Sequence, residues 1–134
     1  MADIVTIEGI GPVYAEKLRA VGIQTVEELL ARGATPKGRE ELAQQTGIAG
    51  KLILRWVNMA DLFRIKGVAE EYADLLEAAG VDTVPELAQR KAANLAPKMA
   101  KVNEAKNLTR QVPSEAQVAD WIAQAKALPR VVTY

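Results

Sequence analysis

The feature that most constrains this chain is that it repeats itself. Sliding the 134 residues over themselves by 58 positions sets residues 1–32 on residues 59–90 with 15 identities. "MADIVTIEGIG" falls on "MADLFRIKGVA", and the matched pairs include Ile7/Ile65, Gly9/Gly67, Tyr14/Tyr72, Leu18/Leu76, Gly22/Gly80, Thr25/Thr83 and Leu29/Leu87. Self-similarity of this density marks a repeated structural unit. Beyond Arg32 the copies drift. Trp56 meets Trp121 at an offset of 65, so the second copy gains about seven residues, within "NLAPKMAKVNEAKNL". Two units are expected, residues 1–60 and residues 61–134. The boundary, near residues 61–66, has no Gly/Ser or Pro-rich linker, so a continuous helix is expected to join them.

The local signals are helical. Gly11 can cap a helix that starts at Pro12, where a missing N–H does no harm. Gly22 ends that helix, with Ile23 placed for the apolar contact of a left-handed C-cap. Thr25 with Glu28, and Thr83 with Glu86, are capping boxes. Gly33 ends the next helix, Thr35-Pro36 starts another, and Gly47 stops it. Residues 50–63, "GKLILRWVNMADLF", show Lys51, Arg55 and Asn58 as one narrow polar stripe on an otherwise apolar helix, which marks a segment buried between neighbours. That helix is expected to unite the two units in one cooperative body. "DIVTI" could be extended, whereas its twin "DLFRI" reads as helix. The expected class is all-α: two tandem units packed into one compact body.

Composition removes several classes of function. The sequence has no Cys and no His, which excludes disulfides, the usual zinc sites, Cys nucleophiles and His-based triads. Its one serine, Ser114, stands beside Pro113 without a base of the usual kind. No catalytic residue, metal site or cofactor is expected, and the protein reads as non-catalytic. No apolar run approaches the roughly 20 residues of a membrane-spanning helix. The opening lacks the basic start and apolar core of a secretory signal. With no Cys, a cytoplasmic protein that avoids membranes is expected.

Basic and acidic residues balance, 17 against 17. A dedicated nucleic-acid binder is usually basic overall. The distribution is less even: residues 70–86 carry six acids and no base, and residues 90–110 carry six bases and one acid. Solvated helix faces account for both runs. Lys98, Lys101, Lys106 and Arg110 are nevertheless a candidate surface for a protein partner.

"IEGIGPVYAEKLRAVGIQTVEELLA" resembles the helix-hairpin-helix motif, with its Gly-apolar-Gly turn between helices and a closing Gly. "ELAQQTGIAGKLILRWVNMA" is similar to the looser second hairpin of a paired motif. Residues 4–60 resemble the N-terminal DNA-binding domain of archaeal and eukaryotic strand-exchange recombinases. The whole chain, through "VVTY", is similar to an uncharacterised bacterial family of tandem helix-hairpin-helix type, domain of unknown function 4332. The resemblance implies phosphate contacts at Gly9, Ile10 and Gly11, with Lys17 as the phosphate-binding cation, and at a second turn, Gly47 with Lys51. Consecutive backbone N–H groups at a helix start suit such an anion, and glycines let it approach closely. Contacts of this kind position a protein on duplex DNA without reading bases.

The second copy departs from this pattern. Its turn is Gly67-Val68-Ala69, followed by Glu70 and Glu71, and its other turn, "QVPS", has no Gly. Carboxylates in a first helical turn suit the helix dipole but repel phosphate. A helix-turn-helix over "LAQQTGIAGKLILRWVN" is disfavoured, because residues 51–58 are too apolar to read a major groove. Two classes of function stay open: weak, sequence-independent duplex binding through the first unit, and a protein-interaction scaffold that kept the shape alone. Gly9 and Gly11 also fit a purely structural turn. Tyr14 and Tyr72 are expected as core or contacts between units, and Trp56 and Trp121 as core anchors with their N–H partnered at an edge.

Overall fold

Pro12 opens the first helix, α1 (Pro12–Ala20), behind an extended Gly11 at the N-cap. The computed structural model describes residues 2–134; Met1, which begins the first matched pair of the repeat, lies outside the described residues. After α1 follow α2 (Val26–Arg32), α3 (Pro36–Thr46), α4 (Gly50–Leu62), α5 (Glu70–Ala78), α6 (Val84–Ala88), α7 (Ala92–Lys106) and α8 (Glu115–Ala127). Among the described residues there is no strand, only an isolated antiparallel bridge between Asp3 and Thr25. The chain is all-α, as its caps and periodicity require.

Two compact units divide it: Met1–Asp61 with Val131–Tyr134, and Leu62–Arg130. The second unit is thus inserted between two segments of the first. Residues 131–134, expected as the end of the second unit, cluster with the first.

In the first unit the helix ends are closed by local bonds. Ile23 N donates to Leu18 O at 3.0 Å across Gly22, which stands at φ +90; this is the six-to-one bond of a left-handed C-cap. Thr25 Oγ1 accepts from Glu28 N, and the Glu28 carboxylate accepts from Thr25 N, both at 3.1 Å. Such a cap is worth about 1 kcal/mol. Gly33 caps α2, Thr35 starts α3, and Gly47 ends α3 in the left-handed region. Ile4, Leu18, Ile23, Leu29, Leu42, Ile53 and Trp56 are fully buried. On α4, Lys51 and Arg55 are exposed and Asn58 is half-buried, while Ile53, Trp56, Val57, Met59 and Ala60 are buried, so the narrow polar stripe is real.

"DIVTI" is neither extended nor α-helical; it holds a short 3-10 turn, Ile4–Thr6. Its twin does not continue as helix either, for α4 stops at Leu62. The reason is the same in both copies. Ile7 N donates to Ile4 O and Ile10 N to Ile7 O, and Ile65 N donates to Leu62 O and Val68 N to Ile65 O, all at 3.1 Å. Three-residue steps turn the chain fast enough to bury Ile7, Ile10, Ile65 and Val68.

The second unit repeats the α5 end, with Val81 N donating to Leu76 O at 2.8 Å past Gly80 at φ +95. Its α8 packs on α6 and α7, and α7 on α5. The extra residues lie where the sequence gains them. With 15 residues α7 is longer than α3 with 11, and the segment before α8 runs over residues 107–114 in place of residues 47–49. Asn103 organises that loop: its Oδ1 accepts from Leu108 N at 2.8 Å and from Thr109 N at 2.9 Å.

Candidate functional site

The entry to α1 is the best candidate. Gly9 stands at φ +96, where an L side chain costs about 1–3 kcal/mol. Trp56 gives a second reason for glycine, since a Cβ there would lie 3.2 Å from the indole nitrogen. Tyr14 meets the Trp56 ring edge-on at 5.1 Å between centroids. The second unit builds the same cluster, with Gly67 at φ +97, a Cβ position 3.0 Å from the Trp121 indole nitrogen, and Tyr72 at 5.2 Å from the Trp121 ring.

Tyr14 and Tyr72 each pack on the buried tryptophan of their own unit, the core contact among the two roles expected of them. One expectation is corrected here. The Trp56 N–H is not at an edge: the side chain is fully buried and its Nε1 has no hydrogen-bond partner. Burial without a partner costs about 1–3 kcal/mol, which the packing of a large aromatic over Gly9 offsets.

Around these matching frames the charges differ. At the first turn Gly11 is exposed and a Cβ there would touch nothing within 4 Å. The first i→i−4 bond of α1 runs from Ala15 N to Gly11 O, so the Val13 and Tyr14 amides precede the helical ladder. The Arg55 guanidinium reaches this turn from α4, its Nη1 3.7 Å from the Cβ position of Gly9. Lys51 is exposed on the same edge of α4, one turn earlier. Lys17 is exposed on α1, in the turn after the helix start. Glu8 is exposed at the turn as well.

At the second turn Ala69 replaces Gly11, and Glu70 and Glu71 occupy the first turn of α5. The residue before Trp121 is Asp120, where the first unit has Arg55 before Trp56. Gln124 ties this turn from α8: its Oε1 accepts from Lys66 N at 2.8 Å, and its Nε2 donates to Lys66 O at 3.1 Å and to Asp120 Oδ2 at 2.9 Å. One backbone thus carries Gly11 and Arg55, with Glu8, at the entry in the first unit, and Ala69, Glu70, Glu71 and Asp120, with Lys66, at the entry in the second.

The other expected contacts separate into available and engaged groups. Ile10 turns its side chain into the core, and its amide donates to Ile7 O at 3.1 Å. Gly47 donates its amide to Ala43 O at 2.9 Å, and Ile48 N donates to Thr46 Oγ1 at 3.1 Å. The second turn of the first unit therefore offers the start of α4, at Gly50 and Lys51, rather than Gly47. Arg55, not singled out from sequence, stands nearest the first turn. Its one signal is its place in the polar stripe immediately before the repeated tryptophan.

The basic stretch also divides. Arg90 Nη1 and Lys98 Nζ lie 3.9 and 3.7 Å from the Cβ position of Gly80, beside the C-terminus of α5, where cations suit the helix dipole. Arg90, Lys91 and Lys126 border an open cavity of about 460 Å³ over Ala92, Ala93, Ala119, Ile122 and Ala123. Lys101, Lys106 and Arg110 are exposed. Among the described residues no helix is long and apolar enough to cross a membrane.

No curated protein and no solved structure matches this sequence. A family described as a domain of unknown function (DUF4332) matches residues 8–128, most of the chain, and to that family the protein belongs.

Proposed function

We propose that this protein is a non-catalytic module of two paired helix-hairpin-helix units that binds duplex DNA weakly and without sequence preference through its first unit. The observation that carries the reading is the contrast between two turns of one build. At Gly9 the chain presents early helix amides, an open Gly11 and the Arg55 guanidinium, whereas at Gly67 the corresponding places hold Glu70, Glu71 and Asp120. An anion is favoured at the first by the amides and the cation and repelled at the second. Gly9, Gly11, Lys17, Lys51 and Arg55 form the phosphate-contacting set. The neutral total charge limits the number of phosphates engaged, so affinity is low and falls with salt.

A second reading is a protein-interaction scaffold that kept the fold and lost DNA binding. It is favoured by Val13, 66% exposed in the first turn of α1 where a cation would serve phosphate better. Titration of a labelled duplex at two salt concentrations separates the two. The DNA reading expects binding at low salt that Lys17→Glu and Arg55→Glu both weaken; no binding at low ionic strength leaves the scaffold.

A further inference from the structure

Arg39 is the most deeply buried cation of the chain, 8% exposed, and nothing in the phosphate reading uses it. Its Nη1 donates to Gly33 O at 2.8 Å and to Ala34 O at 3.2 Å, both in the loop between α2 and α3. Its Nη2 donates at 2.7 Å to Thr133 O, a residue 94 positions away. Thr133 N in turn donates to Ala34 O at 2.8 Å. One residue of the segment 131–134 is thus held at both its N–H and its C=O. Neighbouring side chains fix the register: Val132 is 2% exposed, the Tyr134 ring lies over the guanidinium at 5.7 Å, and Tyr134 Oη donates to Asn58 Oδ1 at 2.9 Å. All these residues belong to the first unit. The counterpart helix α7 has no arginine, so this guanidinium contact has no equivalent there.

A buried guanidinium must keep its acceptors, because an unpaired buried charge is far costlier than an exposed one. The loop supplies carbonyls for Nη1, and the carbonyl for Nη2 comes from the occupant of the groove. We infer that this groove of the first unit is a docking site for an extended peptide, and that in trans it takes residues 131–134 of a second copy of the chain. The chain itself supplies a segment that fits the groove, and every copy carries it. That segment is joined to α8 by residues 128–130, where Leu128 is extended (φ −89, ψ 140), Pro129 and Arg130 are exposed, and Arg64 Nη2 donates to Pro129 O at 2.7 Å. Exchange between copies remakes the bonds of residues 131–134, so its cost is that of association and of reorienting residues 128–130, which Arg64 holds at Pro129 O.

Full-length variants test this. Val132→Asp expels the segment from its own groove and leaves the groove open; Arg39→Gln spoils the groove and leaves the segment intact. Mixed at high concentration, the two variants sediment as a heterodimer, while each alone stays monomeric. A labelled synthetic peptide of residues 128–134 binds the Val132→Asp chain at least tenfold more tightly than the wild type, whose groove is filled in cis. The same peptide with Thr133→Pro, which has no N–H for Ala34 O, loses that binding, a control that holds even where Arg39→Gln fails to fold. A Val132→Asp chain with unchanged helical circular dichroism that ignores the peptide overturns the docking groove. Peptide binding with no heterodimer at any concentration overturns the second copy as occupant.

Discussion

The indole nitrogen of Trp56 lies 3.2 Å from the point where a Cβ on Gly9 would stand, and Trp121 stands over Gly67 in the same way at 3.0 Å. Glycine at these two turns is therefore a packing requirement in both units, whether or not a ligand is present. Gly9→Ala is expected to lower stability by about 1–3 kcal/mol from the positive φ alone, and Gly67→Ala by a similar amount. Gly11→Ala, at φ −85 with open space around it, should leave the thermal midpoint nearly unchanged. Equal midpoints for Gly9→Ala and wild type would show that the turn relaxes without strain when a side chain is added.

Arg55 and Asp120 hold equivalent places before the two tryptophans with opposite charge. Arg55→Asp is expected to weaken duplex binding at low salt. On the DNA reading it should also reduce the slope of log affinity against log salt by about 0.9, the share of one phosphate contact. Ala69→Gly with Glu70→Pro, Glu71→Lys and Asp120→Arg removes the repulsion at the second turn and should strengthen binding. Filter retention of a short duplex at two salt concentrations reads both changes. Indifference of both variants would count against phosphate recognition at either turn.

Lys98 and Lys101 separate structure from surface. Lys98 sits beside the α5 C-terminus at Gly80, so Lys98→Glu should cost about 0.3–1 kcal/mol through the helix dipole. Lys101→Glu, on the exposed face of α7, should leave the thermal midpoint alone. If residues 101–110 hold a partner, Lys101→Glu abolishes its retention on an affinity column without that loss of stability.

Asp82 predicts a pH dependence. Burial first, then the nearby Glu86 and Glu77 carboxylates, push its pKa above the usual carboxylate value. A raised folded-state pKa means that folding favours the protonated form. The corresponding stability is fully present below the ordinary carboxylate range and is lost as pH rises through the raised value. Asp82→Asn should therefore raise the thermal midpoint slightly near neutral pH, with the gain vanishing below about pH 4. A gain that persists in acid would assign the effect to something other than ionisation.

The helices and their ends are legible in the residue order, because the deciding interactions are short. The bond from Ile23 to Leu18, the Thr25–Glu28 box, Thr35 before Pro36 and the left-handed Gly47 all act within five residues, so the residue types are legible at fixed spacing. The repeat added the architecture, since equal patterns force equal turns at Gly9 and Gly67. The tight exits of "DIVTI" and "DLFRI" escaped that reading, because period alone does not separate a 3-10 turn from a strand or a helix. Which side chains meet across the chain emerges in the folded protein alone: Trp56 over Gly9, Arg55 beside it, and Arg39 grasping Thr133 from 94 residues away. These pairings follow from how helix faces pack, and packing depends on volumes and burial that no local pattern encodes. Arg39 shows the difference most plainly. In sequence it is one more charge on a polar helix; in the fold, burial compels it to find carbonyls, and residues 131–134 supply one.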